Sequence, residues 1–390
     1  MLDRLRRITR DGRWIPEIDS LRFIAIFSVL FAHLHGELMN RSGRIVPVEP
    51  RYAGLSYVLQ QGVRGVELFF VISGFILGLP FARQWLQNGR AVSLGKYYLR
   101  RLTRLEPPYI LSYVIAIVLY GVYTRGAGIT HLYLEHVAAG IVYLNDIIFH
   151  AANPVNSVTW TLEIEIQFYI LAPVFALLFR IRDTTLRRTV MLTLMVACGL
   201  VQGIFMQHGY LTQHNIGNYA QYFLAGFLLA DFYLLGLKGP SGWWDVFAVV
   251  GWCTYFGLDY TRWTHALFPF LLFLLCAASL KSRYFKIFFS NSTIAVIGGM
   301  CYSIYLLHFL LIAVLFKVTR YLIFPGDYLV SFLIQLVVTA LPVVFLCALY
   351  YKWVEQVFMD PDWPAKLWNR VNGWRRQRVE ALEEQKQEPY

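Results

Sequence analysis

The stretch that decides the fold is Ile18-Asp-Ser-Leu-Arg-Phe-Ile-Ala-Ile-Phe-Ser-Val-Leu-Phe-Ala-His33. It is long and apolar enough to enter a membrane as a helix, yet it carries Arg22 and His33. Eleven steps of about 100° bring a helix back to within about 20° of its starting direction, so both side chains share one face, about 16 Å apart along the axis. Ionisable groups inside a membrane usually face a cavity or a partner and indicate function. The alternative is that Arg22 reaches lipid headgroups and His33 is a satisfied interior histidine.

The composition extends this reading to the whole chain. Of its 390 residues, 57% are hydrophobic and only 15% are charged, which leaves too little polar surface for a soluble domain of this size. We expect an all-α polytopic membrane protein in the lipid bilayer of the cytoplasmic (inner) membrane. The excess of 35 Lys and Arg over 24 Asp and Glu lies between apolar runs. The positive-inside rule explains that pattern better than a nucleic-acid partner, and none is expected.

About ten transmembrane helices follow from the apolar runs, at about 20 residues per span. We place them near 18–39, 62–82, 106–124, 160–180, 188–207, 217–236, 243–259, 264–281, 294–317 and 327–352. The segment 131–150 is too polar for a span and is expected to be interfacial or re-entrant. The chain then divides into a basic N-terminus (1–17), a membrane domain (18–352) and a C-terminal tail (353–390). No signal-peptide cleavage site follows the basic start, so we expect the first helix to be retained.

The basic residues orient these helices. With ten spans, one side of the membrane receives the basic clusters within 4–13, 83–104, 180–188, 281–286 and 366–378, whereas the other receives only scattered cations. The positive-inside rule assigns the richer side, and with it both termini, to the cytoplasm.

Four ionisable residues from four helices are then expected to converge in the outer half of the membrane. They are His33, Glu67, Glu165 and His308. Such a set can form a site with tuned acid and base groups. Residues two apart diverge by roughly 200° around a helix, so Glu163 cannot share a cavity with Glu165. Alternatively, Glu67 and Glu165 only form ion pairs with Arg64 or another cation.

No metal site is expected. His33 and His35 are two residues apart, which on a helix is the wrong spacing for a shared metal ion. The five cysteines lie singly in apolar runs without a CxxC pair, as small core or lipid-facing residues.

A basic cluster opens the third helix, with Arg100 and Arg104 one turn apart and Arg101 about 100° away. Arginine guanidinium groups suit phosphate oxygens, so an anionic cofactor with several phosphates would fit here. The alternative is that these residues only anchor the cytoplasmic end of the helix.

Together these segments resemble acyltransferase family three, the membrane O-acyltransferases that modify bacterial surface glycans and some secreted small molecules. The resemblance covers nearly the whole chain and rests on five motifs in order. Ser20 and Phe23 depart from it, since the family usually has glycine beside the arginine. The motifs are Arg22 with His33; Gly65-Val-Glu67-Leu-Phe-Phe with Ser73-Gly-Phe75; Arg100-Arg101 with Arg104, Pro107 and Tyr109; Trp160, Leu162, Glu165, Phe168 and Tyr169; and Tyr302-Ser-Ile-Tyr-Leu-Leu-His308.

The resemblance implies acetyl-CoA, or another acyl-CoA, as co-substrate. Its phosphates would be held by Arg100, Arg101, Arg104 and Arg22, and an extended pantetheine arm would cover the distance of about 16 Å to the outer half. Neutral His33 would take the proton of a sugar hydroxyl as that hydroxyl attacks the thioester, with Glu67 or Glu165 orienting the imidazole. Direct transfer and a covalent acyl-histidine relay are both open. The residues expected to contact substrate are Trp160, Tyr169, Tyr305 and His308.

The expected acceptor is a hydroxyl of a surface polysaccharide, lipopolysaccharide, peptidoglycan-like glycan or small molecule such as a macrolide. The family often has an extracytoplasmic esterase-like domain after its membrane part. Such a domain is not expected in this sequence, so we expect a stand-alone enzyme or one with a separate extracytoplasmic partner. Two other classes compete: a transporter or flippase of a lipid-linked sugar with a proton-relay cavity, and a non-catalytic scaffold.

Overall fold

The computed structural model describes residues 14–40, 48–124, 131–208, 214–236, 242–324, 326–360, 362–366, 368–369 and 372–373. Within these ranges the chain is helical, with no strand. The helices are α1 (Pro16–Asn40), α2 (Ala53–Gln60), α3 (Gly65–Leu86), α4 (Leu94–Thr124), α5 (His131–Ile141), α6 (Asn145–Phe149), α7 (Trp160–Phe175), α8 (Thr184–His208), α9 (Ala220–Leu235), α10 (Gly242–Gly257), α11 (Arg262–Lys281), α12 (Phe285–Phe289), α13 (Ser292–Gly299), α14 (Cys301–Thr319), α15 (Tyr328–Gln335), α16 (Leu341–Tyr350) and α17 (Gln356–Phe358). The π-helical segments Leu336–Ala340 and Tyr351–Glu355 join α15, α16 and α17.

All ten segments expected to be helical are helical. Over the described residues, eight helices have the length and apolar composition to cross a membrane, whereas α9 and α10 have only 16 residues each. The segment 131–150 forms two short helices, of which α5 has 11 residues and would span only about 16 Å. The predicted basic N-terminus up to residue 13 and the tail from 374 lie outside the described residues.

Helix α9 lies at the centre of the molecule, where it packs along α3. Every residue from Ala220 to Asp231 is buried. Glycines allow the close approach, because a Cβ on Gly74 would overlap the carbonyl oxygen of Phe223 and one on Gly226 would overlap that of Val71. Small residues at such crossings let membrane helices pack by van der Waals contact. Protein contacts on all sides thus explain how so short a helix fits here.

Helix α1 packs against α3, α13 and α14. The α1 contact with α14 is the one that matters for the site, because His33 lies on α1 and His308 on α14. Helix α4 begins at Leu94, twelve residues before the span expected at 106–124, so the arginine cluster belongs to the helix itself.

Candidate active site

A cavity of about 720 Å³ lies between α1, α3, α4, α7 and the start of α14. Six cationic side chains line it against two carboxylates, which makes it strongly basic. Arg90 and Lys96 were not singled out from the sequence, although they belong to the same basic run as the α4 arginines. The cations are Arg22, Arg90, Lys96, Arg100, Arg101 and Arg104, and the carboxylates are Glu165 and Glu355.

Tyrosine rings hold Arg101 at the cavity wall. The guanidinium carbon of Arg101 lies 3.7 Å from the ring centroid of Tyr97 and 5.4 Å from that of Tyr169. Arg101 also donates a 3.0 Å hydrogen bond to the carbonyl oxygen of Tyr97. Nearby, the buried Nε of Arg104 has no hydrogen-bond partner in the described chain. Both side chains therefore offer N–H donors to an anion in the cavity.

Arg22 reaches the same cavity from α1. It pairs with Asp19, one turn earlier on its own helix, and Asp19 also accepts a 2.8 Å hydrogen bond from the Trp14 indole. The sequence left open whether Arg22 reaches lipid headgroups or faces a partner. The structure places it in the protein interior, where a carboxylate balances its charge.

Glu165 is one of the two carboxylates that line the cavity. Ser73 of α3 donates a 2.7 Å hydrogen bond to it, and Tyr169, one turn later on α7, donates one of 2.5 Å. Glu163 points elsewhere, as the helical period requires, and accepts a 2.9 Å hydrogen bond from the backbone N–H of Asp146. Ser73 lies within the motif of the second predicted span, but only the fold shows that it contacts Glu165.

Tyr305 lines the cavity, and its ring lies beside a pair of imidazoles. Thr161 and Tyr305 share a 2.7 Å hydroxyl contact, and Tyr305 donates to the Val158 carbonyl oxygen at 3.0 Å. The ring centroids of Tyr305 and His308 are 5.6 Å apart, and those of His308 and His33 are 5.3 Å apart. His33 is therefore near the cavity but is not one of the residues that line it.

Glu67 and Glu165, one of which was expected to orient the His33 imidazole, hydrogen-bond to other side chains in this structure. Glu67 accepts hydrogen bonds from the hydroxyls of Tyr255 (2.5 Å) and Tyr260 (2.7 Å), which come from the α10–α11 region. Arg64 stacks on Tyr260, with its guanidinium carbon 4.3 Å from the ring centroid. Glu165 also has other partners. The ionisable side chain whose ring lies against His33 is His308.

Trp160 lies outside the cavity wall, at the start of α7. Its ring stacks on His214 at 4.2 Å between centroids, and His214 Nδ1 lies 2.6 Å from a carboxylate oxygen of Asp146. This stacking is not predictable from the sequence, because Trp160 begins α7 whereas His214 lies in the connection between α8 and α9.

Glu355 was missed by the sequence analysis. Its carboxylate accepts hydrogen bonds from the backbone N–H (3.1 Å) and the hydroxyl (2.5 Å) of Ser303, in the first turn of α14. A carboxylate at a helix N-terminus satisfies an otherwise unpaired N–H and complements the helix dipole. Glu355 thus anchors the helix that carries Tyr305 and His308. The sequence feature that could have indicated it is a single acidic residue, Glu355, shortly after the apolar run 327–352.

Nothing in the described ranges gathers three His, Cys, Asp or Glu side chains into a metal site. His35 turns away from His33, and its ring contacts the hydroxyls of Tyr328 at 2.7 Å and Ser56 at 3.3 Å.

Comparison with known proteins gives one family match over most of the chain. The family described as "Acyltransferase domain", acyltransferase family 3, matches residues 15–352. No solved structure gives a significant match.

Several relatives are O-acetyltransferases. The chain is 26% identical over 215 residues to the peptidoglycan O-acetyltransferase OatA of Listeria monocytogenes, covering 52% of this chain and 30% of that protein. It is 23% identical over 381 residues to O-acetyltransferase OatA of Staphylococcus aureus, covering 88% and 57%. A putative O-acetyltransferase of Staphylococcus aureus is 24% identical over 393 residues, covering 91% and 59%. The chain thus spans less than two thirds of the length of each.

Proposed function

Because this chain belongs to acyltransferase family 3, we propose that it is a membrane O-acetyltransferase that moves an acetyl group from acetyl-CoA to a hydroxyl of a cell-surface or lipid-linked glycan. The observation that carries the proposal is the cavity: six cations line it, and its far end lies one tyrosine ring from two imidazoles. The names of the O-acetyltransferase relatives support the reaction and the acceptor class. Peptidoglycan strands are the first acceptor to test.

The basic part of the cavity would hold the donor. Arg100, Arg101 and Arg104 present guanidinium groups to the polyphosphate of coenzyme A, with Arg22 deeper inside. Guanidinium groups bind phosphate oxygens through two parallel hydrogen bonds, which suits a site for several phosphates. The pantetheine arm would then lie along Ser73 and Glu165, and the thioester would reach Tyr305.

His33 would act as the base in the transfer. As the acceptor hydroxyl attacks the thioester carbon, its proton passes to a neutral imidazole nitrogen of His33, and the new C–O ester bond forms. The C–S bond then breaks, and the proton returns from His33 to the departing thiolate. A displacement of the Tyr305 ring, which lines the cavity and lies 5.6 Å from the His308 ring, would join the cavity to the histidines. Direct transfer needs no other intermediate.

The proposal includes an orientation. The chain would cross the cytoplasmic membrane about ten times, with both termini and the α4 arginines at the cytoplasmic face, where acetyl-CoA is present. The excess of basic residues on that side supports this assignment. Glycan would enter from the opposite face, alone or presented by a separate extracytoplasmic partner.

Thiol release tests the proposal. Full-length protein in proteoliposomes, given acetyl-CoA and peptidoglycan oligosaccharides from muramidase digestion, should release free coenzyme A only when the acceptor is present. Mass spectrometry of surface glycans from cells with and without the gene should show an O-acetyl group that disappears with the gene. A protein that releases no thiol but moves a lipid-linked sugar across the vesicle membrane is a transporter, and that result would overturn the proposal.

A further inference from the structure

The hydrogen bonds of His308 fix which ring nitrogen carries its proton. His308 Nδ1 lies 3.0 Å from the carbonyl oxygen of Ile304 and 2.8 Å from that of Tyr305. A carbonyl oxygen only accepts hydrogen bonds, so Nδ1 must be the donor. In a neutral imidazole the other nitrogen, Nε2, is then a bare lone pair. A charged ring is disfavoured here, because the side chain is fully buried and its hydrogen bonds within the described residues go to backbone carbonyls and not to a carboxylate.

The Nε2 of His308 has no hydrogen-bond partner among the residues described. Buried polar atoms are nearly always satisfied, so an unpaired acceptor needs an explanation. The His33 ring is in contact with His308, at 5.3 Å between centroids and 45° between ring planes. His33 is the more accessible of the two, since it is partly exposed while His308 is 0% exposed. Of the two rings, His33 is therefore the one that a substrate can reach.

We propose that His308 is the positioning residue of the transfer reaction, and that its Nε2 accepts a hydrogen bond from the N–H of His33 when substrates are bound. This proposal rests on the proposed function. The hydrogen bond fixes the tautomer of His33, so that the second nitrogen of His33 is free to take the proton of the acceptor hydroxyl. The role usually played by a carboxylate then belongs to a neutral imidazole, itself held by two carbonyl groups of α14.

Only one proton is transferred in this arrangement, and it passes through His33. The hydroxyl proton passes to His33 and from there to the thiolate of coenzyme A, while the proton between His33 and His308 stays on His33. The Ile304 and Tyr305 carbonyl dipoles reach His33 through the His308 ring and stabilise the imidazolium formed in the transition state. His308 itself touches neither substrate.

Three variants at one position test this arrangement. His308→Phe keeps an aromatic ring but removes the Nε2 atom that would accept the hydrogen bond from His33. His308→Gln can place an amide oxygen near the position of Nε2, whereas His308→Asn places its amide oxygen near the position of Nδ1. With acetyl-CoA and peptidoglycan oligosaccharides, His308→Phe should lower kcat by about 10- to 100-fold and leave KM for acetyl-CoA nearly unchanged. His308→Gln should recover most of that loss and His308→Asn should not. If His308→Phe fails to fold, the comparison of Gln with Asn alone decides.

Two controls separate this role from a structural one. His265→Phe replaces another buried histidine, which stacks on Tyr260 rather than on His33, and should keep normal kcat. The double variant His33→Ala/His308→Phe should be no slower than His33→Ala, because His308 acts through His33. Equal activity of the Gln and Asn variants, or additive losses in the double variant, would overturn the proposal while the wild-type activity stands. A wild-type protein that releases no thiol would instead overturn the proposed function itself.

Discussion

The Tyr169 hydroxyl donates a 2.5 Å hydrogen bond to Glu165, a carboxylate that lines the basic cavity. Glu67 is likewise held by Tyr255 and Tyr260. None of these hydrogen bonds involves the His33 imidazole. The imidazole pair is therefore the part of the site where the proton chemistry is expected, and the carboxylates have other roles.

His33→Ala should reduce kcat for acetyl transfer by about 100- to 10,000-fold, the usual contribution of a general base. Thiol release from acetyl-CoA measures it. His35→Phe is the matched control on the same helix: it removes hydrogen bonds to Tyr328 and Ser56, so it should lower stability while kcat stays near normal. Retention of most activity by His33→Ala would refute the assignment of the base.

Arg101→Ala should raise KM for acetyl-CoA about tenfold or more, since each charge-assisted hydrogen bond lost is worth about 1.5–3 kcal/mol. KM for the acceptor should change much less. Arg182→Ala removes an exposed cation that does not line the cavity and should have no effect on either constant. Equal increases in both KM values after Arg101→Ala would argue against a phosphate site.

Glu67→Gln should affect stability more than chemistry. The carboxylate is buried and accepts hydrogen bonds from Tyr255 and Tyr260, and Arg64 stacks on the Tyr260 ring. Removing the charge weakens two charge-assisted hydrogen bonds, each worth about 1.5–3 kcal/mol, which should appear as a lower melting temperature in detergent. The kcat of the remaining folded protein should fall by less than the His33→Ala variant shows. A loss of kcat as large as that of His33→Ala at unchanged stability would restore Glu67 to the catalytic set.

Gly226→Ala should destabilise the protein by about 1–3 kcal/mol, the usual effect of overpacking. The added Cβ would overlap the Val71 carbonyl oxygen and push α9 away from α3. Gly36→Ala is the control, because a Cβ there meets nothing within 4 Å, and it should be neutral or slightly stabilising. Thermal unfolding of the purified protein compares the two; equal melting temperatures would show that the crossing tolerates a wider separation.

The sequence predicted the helices because each apolar run is a local property of about 20 consecutive residues. It also predicted that Glu163 and Glu165 point in different directions, which follows from the helical period alone. It could not predict the hydrogen bonds from Tyr255 and Tyr260 to Glu67, because both tyrosines lie far from Glu67 along the chain and neither stands out among 25 tyrosines.

What the sequence determined by itself is the helical, polytopic character of the chain and the relation of Arg22 to His33 along the first helix, because helix geometry fixes relations between near neighbours in the chain. The tertiary structure alone decided which polar groups meet. It bonded both glutamates to tyrosine hydroxyls, set His33 against His308, and gathered cations from α1, α4 and the connection before α4 around one cavity. These contacts depend on the crossing of helices, which side-chain packing and glycine close approaches set across long stretches of the chain.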